Sequence, residues 1–135
     1  MSWLQSGLIV IGKTGSEHVS IIVTDRPDSE GWMTATLEVS AGAWGGACGA
    51  WFHQGELRQF ASEIEKLYDS LTGTAVLDPL EPYLELNLTG DGKGHVLVSG
   101  QAQDHPGAIL KFRFELDQTE LPAIVAALRT ADPTN

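Results

Sequence analysis

A segment near the start of the sequence matches the pattern of a phosphate-binding loop. Residues Gly7 to Thr14 read G-x-x-x-x-G-K-[ST], a pattern whose backbone N–H groups cradle nucleotide phosphates. Such a loop needs a helix directly after its lysine. Here the variable positions are a strand-like Leu-Ile-Val-Ile, and a second strand pattern follows. The segment therefore predicts an edge strand and a turn rather than a nucleotide site.

Cys48 is the single cysteine, and Cys48-Gly-Ala-Trp51 partly matches the nucleophile segment of papain-like proteases. The second cysteine of that segment is missing. The nearest histidine, His53, has an odd offset along a predicted strand, which places it on the opposite face and roughly 16 Å away. We therefore interpret Cys48 as a small buried thiol, and a lone cysteine excludes an intramolecular disulfide.

Metal ligands are sparse in the sequence. The histidines His18, His53, His95 and His105 are scattered, and no two have a metal-ligand spacing on one element. Asp91-Gly-Lys-Gly resembles the start of a calcium loop but lacks its later acids and terminal glutamate. We expect a glycine-rich hairpin turn there, with no metal and no cofactor.

An acidic stretch between Lys66 and Lys93 is the strongest candidate for a binding surface. It holds five acids and no Lys or Arg, against a net charge of -10 for the whole chain. One interpretation is a solvated face. The other is an acidic patch that meets a basic surface, with Tyr83 as an aromatic anchor. On the second interpretation the predicted binding residues are Glu81, Tyr83, Glu85, Asp91 and His95.

Composition limits the class of protein. The chain has 135 residues, 8 of them basic and 18 acidic, with 42% apolar and 19% charged. A length of ~100 to 200 residues is typical of one globular domain. An acidic chain repels nucleic acid and anionic membranes, and no apolar run approaches the ~18 residues of a membrane span. We expect a cytoplasmic domain over residues 1–130, followed by a loose tail over 131–135.

Two segments have the apolar spacing of amphipathic helices. The first covers residues 56–72, and Gly73 is predicted to follow its C-terminal end. The second covers residues 120–129. For its N-cap we prefer Thr119, which puts Pro122 in the first turn, over a capping box of Asp117 with Glu120.

The other apolar segments alternate with period two, as strands do. They cover residues 19–23, 33–39, 45–53, 83–89, 96–98 and 110–116. The glycines of the segment 45–53 predict a bulge or close packing against a helix. The order of elements predicts an α+β fold: an antiparallel sheet or sandwich of about six to eight strands, with both helices packed on its apolar face.

An apolar pocket is the main alternative to a protein-binding surface. It would be enclosed by sheet and helix and lined by Trp44, Trp51 and Phe52, as in a small-molecule binding module. A structural or assembly role without catalysis is a further alternative. No nucleophile–base pair or metal cluster emerges from the sequence, so we expect no enzyme. Edge strands could pair two chains, and we expect a monomer or a homodimer.

Several segments, in this order and spacing, resemble the small bacterial proteins grouped with WapI, the immunity protein of a cell-wall-associated toxin. They are Glu30-Gly-Trp32, the apolar stripe and following residues from Leu57 to Leu77, Glu81-Pro-Tyr-Leu-Glu-Leu86, Gly90-Asp-Gly-x-Gly-His-Val96 and Asp117-Gln-Thr-x-Leu121. The resemblance runs roughly from Ser20 to Leu128. It implies a cytoplasmic antidote that binds and occludes the C-terminal nuclease domain of a cognate toxin, the WapA type being directed at tRNA. A nuclease domain that holds RNA must be basic, which agrees in sign with the acidic chain.

Overall fold

The alternating segments form two antiparallel sheets in the computed structural model, which describes residues 7–133. The first sheet has the order β1-β2-β3-β4, from strands Leu8–Gly12, His18–Val23, Trp32–Ala41 and Trp44–His53. The second has the order β5-β6-β7-β8, from Thr72–Leu77, Leu84–Asp91, His95–Gln103 and Ile109–Asp117. Helix α1 (Glu56–Ser70) joins the sheets, and helix α2 (Leu121–Ala131) ends the fold. The predicted α+β class and strand number are confirmed.

The two sheets cover each other's apolar faces. Inner-face residues of the central strands, such as Ile21, Leu37, Leu86 and Val98, are at most 1% exposed. The helices, however, pack mainly on each other and on the edge strands, α1 on β5 and α2 on β1. The central inner faces are therefore buried sheet against sheet, as in sandwiches, whose stacked sheets generally lie ~10 Å apart. One continuous apolar core includes residues of both sheets and both helices.

Helix α1 ends earlier than its sequence pattern indicated. Ser70 is its last residue, and Leu71 takes the left-handed conformation, with φ 63°. The N–H of Leu71 donates to the carbonyl of Leu67 at 2.7 Å. Gly73 already belongs to β5, where Thr72 pairs with Asp91 of β6. The prediction that Gly73 follows the helix end was wrong, because the unpredicted strand β5 begins directly after the left-handed residue.

Helix α2 is preceded by a 3₁₀ turn, Gln118–Glu120, and its start corrects our choice of N-cap. Asp117 accepts the N–H of Thr119 at 2.9 Å, while Glu120 accepts the N–H of Asp117 at 3.2 Å. The capping box is therefore present, and Thr119 is not the cap. Pro122 still lies in the first turn of α2, where its missing N–H costs no helical bond, because the 3₁₀ turn separates the box from the helix.

Asp132 joins the end of the described chain to the start of α1. Its side chain is 1% exposed, and its carboxylate accepts the N–H groups of Gly55 at 2.7 Å, Leu57 at 3.1 Å and Arg58 at 3.2 Å. It therefore satisfies N–H groups that have no partner inside the helix. We expected a loose tail from residue 131, but Ala131 and Asp132 are both buried. Residues 134–135 of that tail lie outside the described residues.

Strand β4 pairs with β3 in continuous register from Trp32 opposite His53 to Ala41 opposite Trp44, so the expected bulge is absent there. A Cβ atom at Gly46 or Gly49 would meet nothing within 4 Å. These two glycines border open space, and the expectation that they pack against a helix was wrong. The segment from Gly7 forms β1 and a turn, as predicted. Neither α1 nor α2 is long and apolar enough to cross a bilayer.

Candidate functional site

An aromatic recess lies where the outer face of the first sheet meets the loop between β5 and β6. It is lined by Trp32, Trp51, Glu81 and Tyr83 and has a volume of about 130 Å³. Trp32 and Trp51 occupy alternate positions to the buried Met33 and Phe52, so the strand pleat directs them away from the core. Glu81 and Tyr83 come from the loop. The rings of Trp51 and Tyr83 are tilted by 49° with centroids 5.6 Å apart.

Glu56, the first residue of α1, holds this loop beside β4. Its carboxylate accepts the N–H of His53 at 2.6 Å and the N–H of Leu80 at 2.7 Å. The backbone of Tyr83 is also fixed, because its carbonyl accepts the N–H of Gln103 at 2.9 Å. The two bonds to the Glu56 carboxylate are charge-assisted, and such bonds are about twice as strong as neutral ones. The loop therefore presents Glu81 and Tyr83 from a fixed backbone.

Trp32 is held from both sides. The carboxylate of Asp28 accepts the N–H groups of Trp32 and Glu30, each at 2.9 Å, and these bonds hold the pKa of Asp28 below its ordinary value. On the other side, the imidazole of His53 meets the indole of Trp32 edge to face, with centroids 5.0 Å apart. The Nε2 atom of His53 lies 2.8 Å from the carbonyl oxygen of Glu30. The β2–β3 connection thus sets the position of one wall of the aromatic recess.

Three carboxylates in and beside the loop between β5 and β6 have no partner in the fold, and one of them, Glu81, lines the aromatic recess. Across residues 7–133, the side-chain carboxylates of Asp78, Glu81 and Glu85 make no hydrogen bond and no ion pair. Beside them Leu80 is 77% exposed and Trp51 is 41% exposed. An exposed aromatic recess with an unpaired carboxylate in its lining has the composition of a protein-binding surface rather than of a catalytic site.

The structure divides the predicted binding residues into two groups. Glu81 and Tyr83 line the aromatic recess, and Glu85 follows on the outer face of β6, opposite Gln101. Asp91 is at the other end of β6, roughly 20 Å from Glu85 at the rise of an extended strand. His95 lies there too, so five residues predicted as one surface occupy both ends of the second sheet.

Asp91 and His95 form the β6–β7 hairpin. The carboxylate of Asp91 accepts the N–H groups of Lys93 at 2.7 Å and His95 at 3.1 Å, and these two bonds are the main reason that its pKa is lowered. Its second oxygen lies 3.1 Å from the Nδ1 atom of His95. Asp91 is therefore occupied with its own turn, which is the glycine-rich hairpin that the sequence predicted.

The residues expected to line one apolar pocket point to three places. Phe52 is buried in the core, and Trp51 lines the aromatic recess. Trp44, 73% exposed, borders a groove of about 200 Å³ between the β3–β4 hairpin and the start of β8. The predicted common lining was wrong, because Trp51 and Phe52 are strand neighbours that face opposite sides, and Trp44 lies at the other end of β4. The groove is also smaller than the ~300 Å³ at which small-molecule pockets begin.

Cys48 lines the same groove and has no histidine partner. Burial, with a smaller effect from Asp104, raises the pKa of its thiol, the opposite of what activates a nucleophile. The ring nitrogens of His53 lie instead near the carbonyls of Gln54 and Glu30. No group of three His, Cys, Asp or Glu residues that could hold a metal ion is found in the part of the chain that the structure describes.

Sequence reasoning did not connect Trp32 with Tyr83, and it placed Trp51 in a different pocket. The alternation that marks Met33 and Phe52 as core could have placed both tryptophans on the opposite face. Their approach to Glu81 and Tyr83 had no such signal, because it depends on how the second sheet packs against the first.

One comparison with known proteins identifies a family for this chain. The family model described as "Immunity protein WapI-like family" matches residues 9–131. The chain therefore belongs to the immunity protein WapI-like family, whose members are typically non-catalytic. Membership implies an immunity role and a protein partner, a toxin.

Other comparisons add little. No curated protein matches the chain. A solved structure described as "The Siderocalin Ex-FABP functions through dual ligand specificities" is similar over 90% of this chain and 74% of that chain, with 10% identity and a TM-score of 0.29. A similarity this low does not indicate a shared fold or a shared ligand.

Proposed function

We propose that this chain is a cytoplasmic bacterial immunity protein that binds and occludes the basic nuclease domain of a cognate toxin. It acts by binding alone, without chemistry of its own. Family membership supplies the immunity role and the toxin partner. The nuclease activity of that toxin, its basic surface and the mode of occlusion are our proposal.

The aromatic recess is the main observation that supports this proposal. Tryptophan, tyrosine and arginine provide most of the binding energy in protein interfaces, and they act best near the centre of a contact. Trp51 and Tyr83 are such residues, and the exposed Leu80 extends the apolar centre. Glu81, which lines the recess, supplies negative charge there. A partner that covers this surface would bury the aromatic centre inside a charged rim.

Net charge supports the same partner. A nuclease domain needs Lys and Arg to hold the phosphates of RNA, so its active surface is positive. A chain with a net charge of -10 attracts that surface, and electrostatic steering raises association rates by about 10-fold to 1,000-fold. Carboxylates with no partner in their own fold are free to replace the phosphates, as Asp78, Glu81 and Glu85 are within the described residues.

The test is co-expression with the C-terminal domain of a toxin encoded beside the gene for this chain. We expect the chain to restore growth and to form a complex that blocks nuclease activity. Reversing charge with Glu81→Lys and Glu85→Lys should slow association and flatten its salt dependence. Glu17→Lys makes the same charge change at the β1–β2 turn of the other sheet and should reduce the rate much less.

Failure of the wild-type chain to protect would overturn the proposal. Equal kinetics for the Glu81 and Glu17 variants would leave the immunity role in place and move the contact surface elsewhere. Asp91→Lys tests a second candidate position for the contact surface, since Asp91 lies at the far end of β6. A larger effect there than at Glu81 would place the interface at the β6–β7 hairpin.

A further inference from the structure

The aromatic recess has the size of a side-chain head group. Its volume of about 130 Å³ corresponds to roughly four waters at ~30 Å³ each. This is well below the ~300 Å³ of the smallest typical ligand pockets. A recess of this size would fit a small group on a larger partner better than a free metabolite.

The residues that line the recess favour binding of a positively charged group. Three of the four lining residues, Trp32, Trp51 and Tyr83, are aromatic, and aromatic faces attract positive charge. The fourth is the half-buried Glu81, which makes no hydrogen bond or ion pair with any residue that the structure describes. By contrast, Glu56 and Glu63 both accept backbone N–H groups. Glu81 is the carboxylate of this region that remains unsatisfied next to aromatic rings.

We propose that the aromatic recess binds the guanidinium group of one arginine side chain, which rests on the proposed function for the identity of the partner. Arginine fits better than lysine, because its planar head stacks on aromatic rings while it donates two parallel hydrogen bonds to a carboxylate. Trp32, Trp51 and Tyr83 supply the aromatic contacts, and Glu81 supplies the acceptor.

The recess is assembled before the ligand arrives. Asp28 holds the backbone of Trp32, Glu56 holds the loop at Leu80, and Gln103 holds the backbone of Tyr83. A preformed site loses little conformational freedom on binding. The arginine therefore binds at a fixed point on the surface and sets the orientation of the partner.

The test is an NMR titration of the full chain with N-acetyl-arginine amide, observed at the indole N–H groups of Trp32 and Trp51. N-acetyl-citrulline amide has the same shape without the charge and is the matched ligand control. N-acetyl-lysine amide separates a guanidinium from an ammonium. We expect saturable shifts with arginine in the millimolar range, weaker binding of lysine and no saturable shift with citrulline.

Two variants test the carboxylate and the ring. Glu81→Gln keeps the shape of the side chain and should weaken binding of the arginine probe about threefold to tenfold. Glu17→Gln should leave the affinity for the probe unchanged. Trp51→Leu should also weaken it. Because the probe titration of the wild-type chain needs no variant, it stays decisive even if a variant unfolds. Equal shifts with citrulline, or no saturable shift, would overturn the inference, and lysine binding as tightly as arginine would overturn the choice of arginine.

The growth test separates this inference from the proposed function. If the wild-type chain protects and Glu81→Gln and Trp51→Leu protect equally well with unchanged affinity, the inference fails and the immunity role stands. If the wild-type chain does not protect, the immunity role fails, and the arginine titration still decides the chemistry of the recess.

Discussion

The indole of Trp51 and the phenol of Tyr83 lie with their centroids 5.6 Å apart, although Trp51 belongs to the first sheet and Tyr83 directly precedes β6 of the second. Their contact closes one side of the aromatic recess. Since Trp51 belongs to the first sheet and Tyr83 to the loop that leads into the second, the site depends on the packing of the two sheets.

Trp51→Leu should reduce affinity for the toxin domain by about 2 kcal/mol or more, because a tryptophan at the centre of an interface contributes strongly. Isothermal titration calorimetry would measure the change. Trp44→Leu is the matched control, since Trp44 is on the same strand, is 73% exposed and lies outside the recess. A larger loss for Trp44→Leu would place the contact at the groove beside the β3–β4 hairpin instead.

Glu56→Ala should loosen the β5–β6 loop, because it removes the acceptor of the N–H groups of His53 and Leu80. We expect faster hydrogen exchange at Leu80, weaker binding of the arginine probe and a loss of about 1–3 kcal/mol in the free energy of unfolding. Glu63→Ala removes one comparable bond, to Val76 at 3.0 Å, away from the recess. Probe binding that falls equally in both variants would show that Glu56 does not position the recess.

Asp132→Ala should lower the free energy of unfolding by about 2–3 kcal/mol, because it leaves buried N–H groups at the start of α1 without an acceptor. Urea denaturation would measure the loss. Asp69→Ala removes an exposed carboxylate of the same helix and should change stability little. Equal midpoints for Asp132→Ala and the wild-type chain would contradict the capping role.

Stability should fall in acid partly through Asp28. The N–H groups of Trp32 and Glu30 lower the pKa of Asp28 from its ordinary value of 3.8. A lowered pKa means that the ionised carboxylate stabilises the fold fully above pH 3.8, and that this contribution is lost as pH falls through the lower folded value.

As pH falls below 3.8, Asp28→Asn should therefore lose unfolding free energy less steeply than the wild-type chain, measured by urea denaturation. The indole signal of Trp32 should also shift in acid in the wild-type chain. Asp91 and Asp117 have lowered pKa values from their own backbone bonds, so part of the acid dependence remains in the variant. An identical pH slope would contradict the contribution of Asp28.

Local pattern predicted most elements and some of their ends. The stripe of α1 is correct from Glu56, but its end was placed too late, since a left-handed Leu71 has no local signature and Gly73 has one. The strand Thr72–Leu77 was missed for a related reason. Only Ala75 and Leu77 of it are buried, so the alternation is too short to stand out beside the helix.

The candidate site was predicted in part. Glu81 and Tyr83 come from one short segment of acidic and aromatic residues, which composition alone could mark. Asp91 and His95 were grouped with them by their distance along the chain. A strand keeps residues at its two ends apart, so a charge count cannot show which of them share a surface.

The sequence by itself determined the two helices, most strands, the acidic balance and the pairing of neighbouring strands, because these follow from periodicity and short connections. Tertiary structure alone decided that Asp132 caps α1, that Glu56 joins His53 to Leu80, and that two tryptophans meet Glu81 and Tyr83. These contacts join segments far apart in the chain. Their geometry depends on how two sheets and two helices bury a common core, and no local pattern encodes that arrangement.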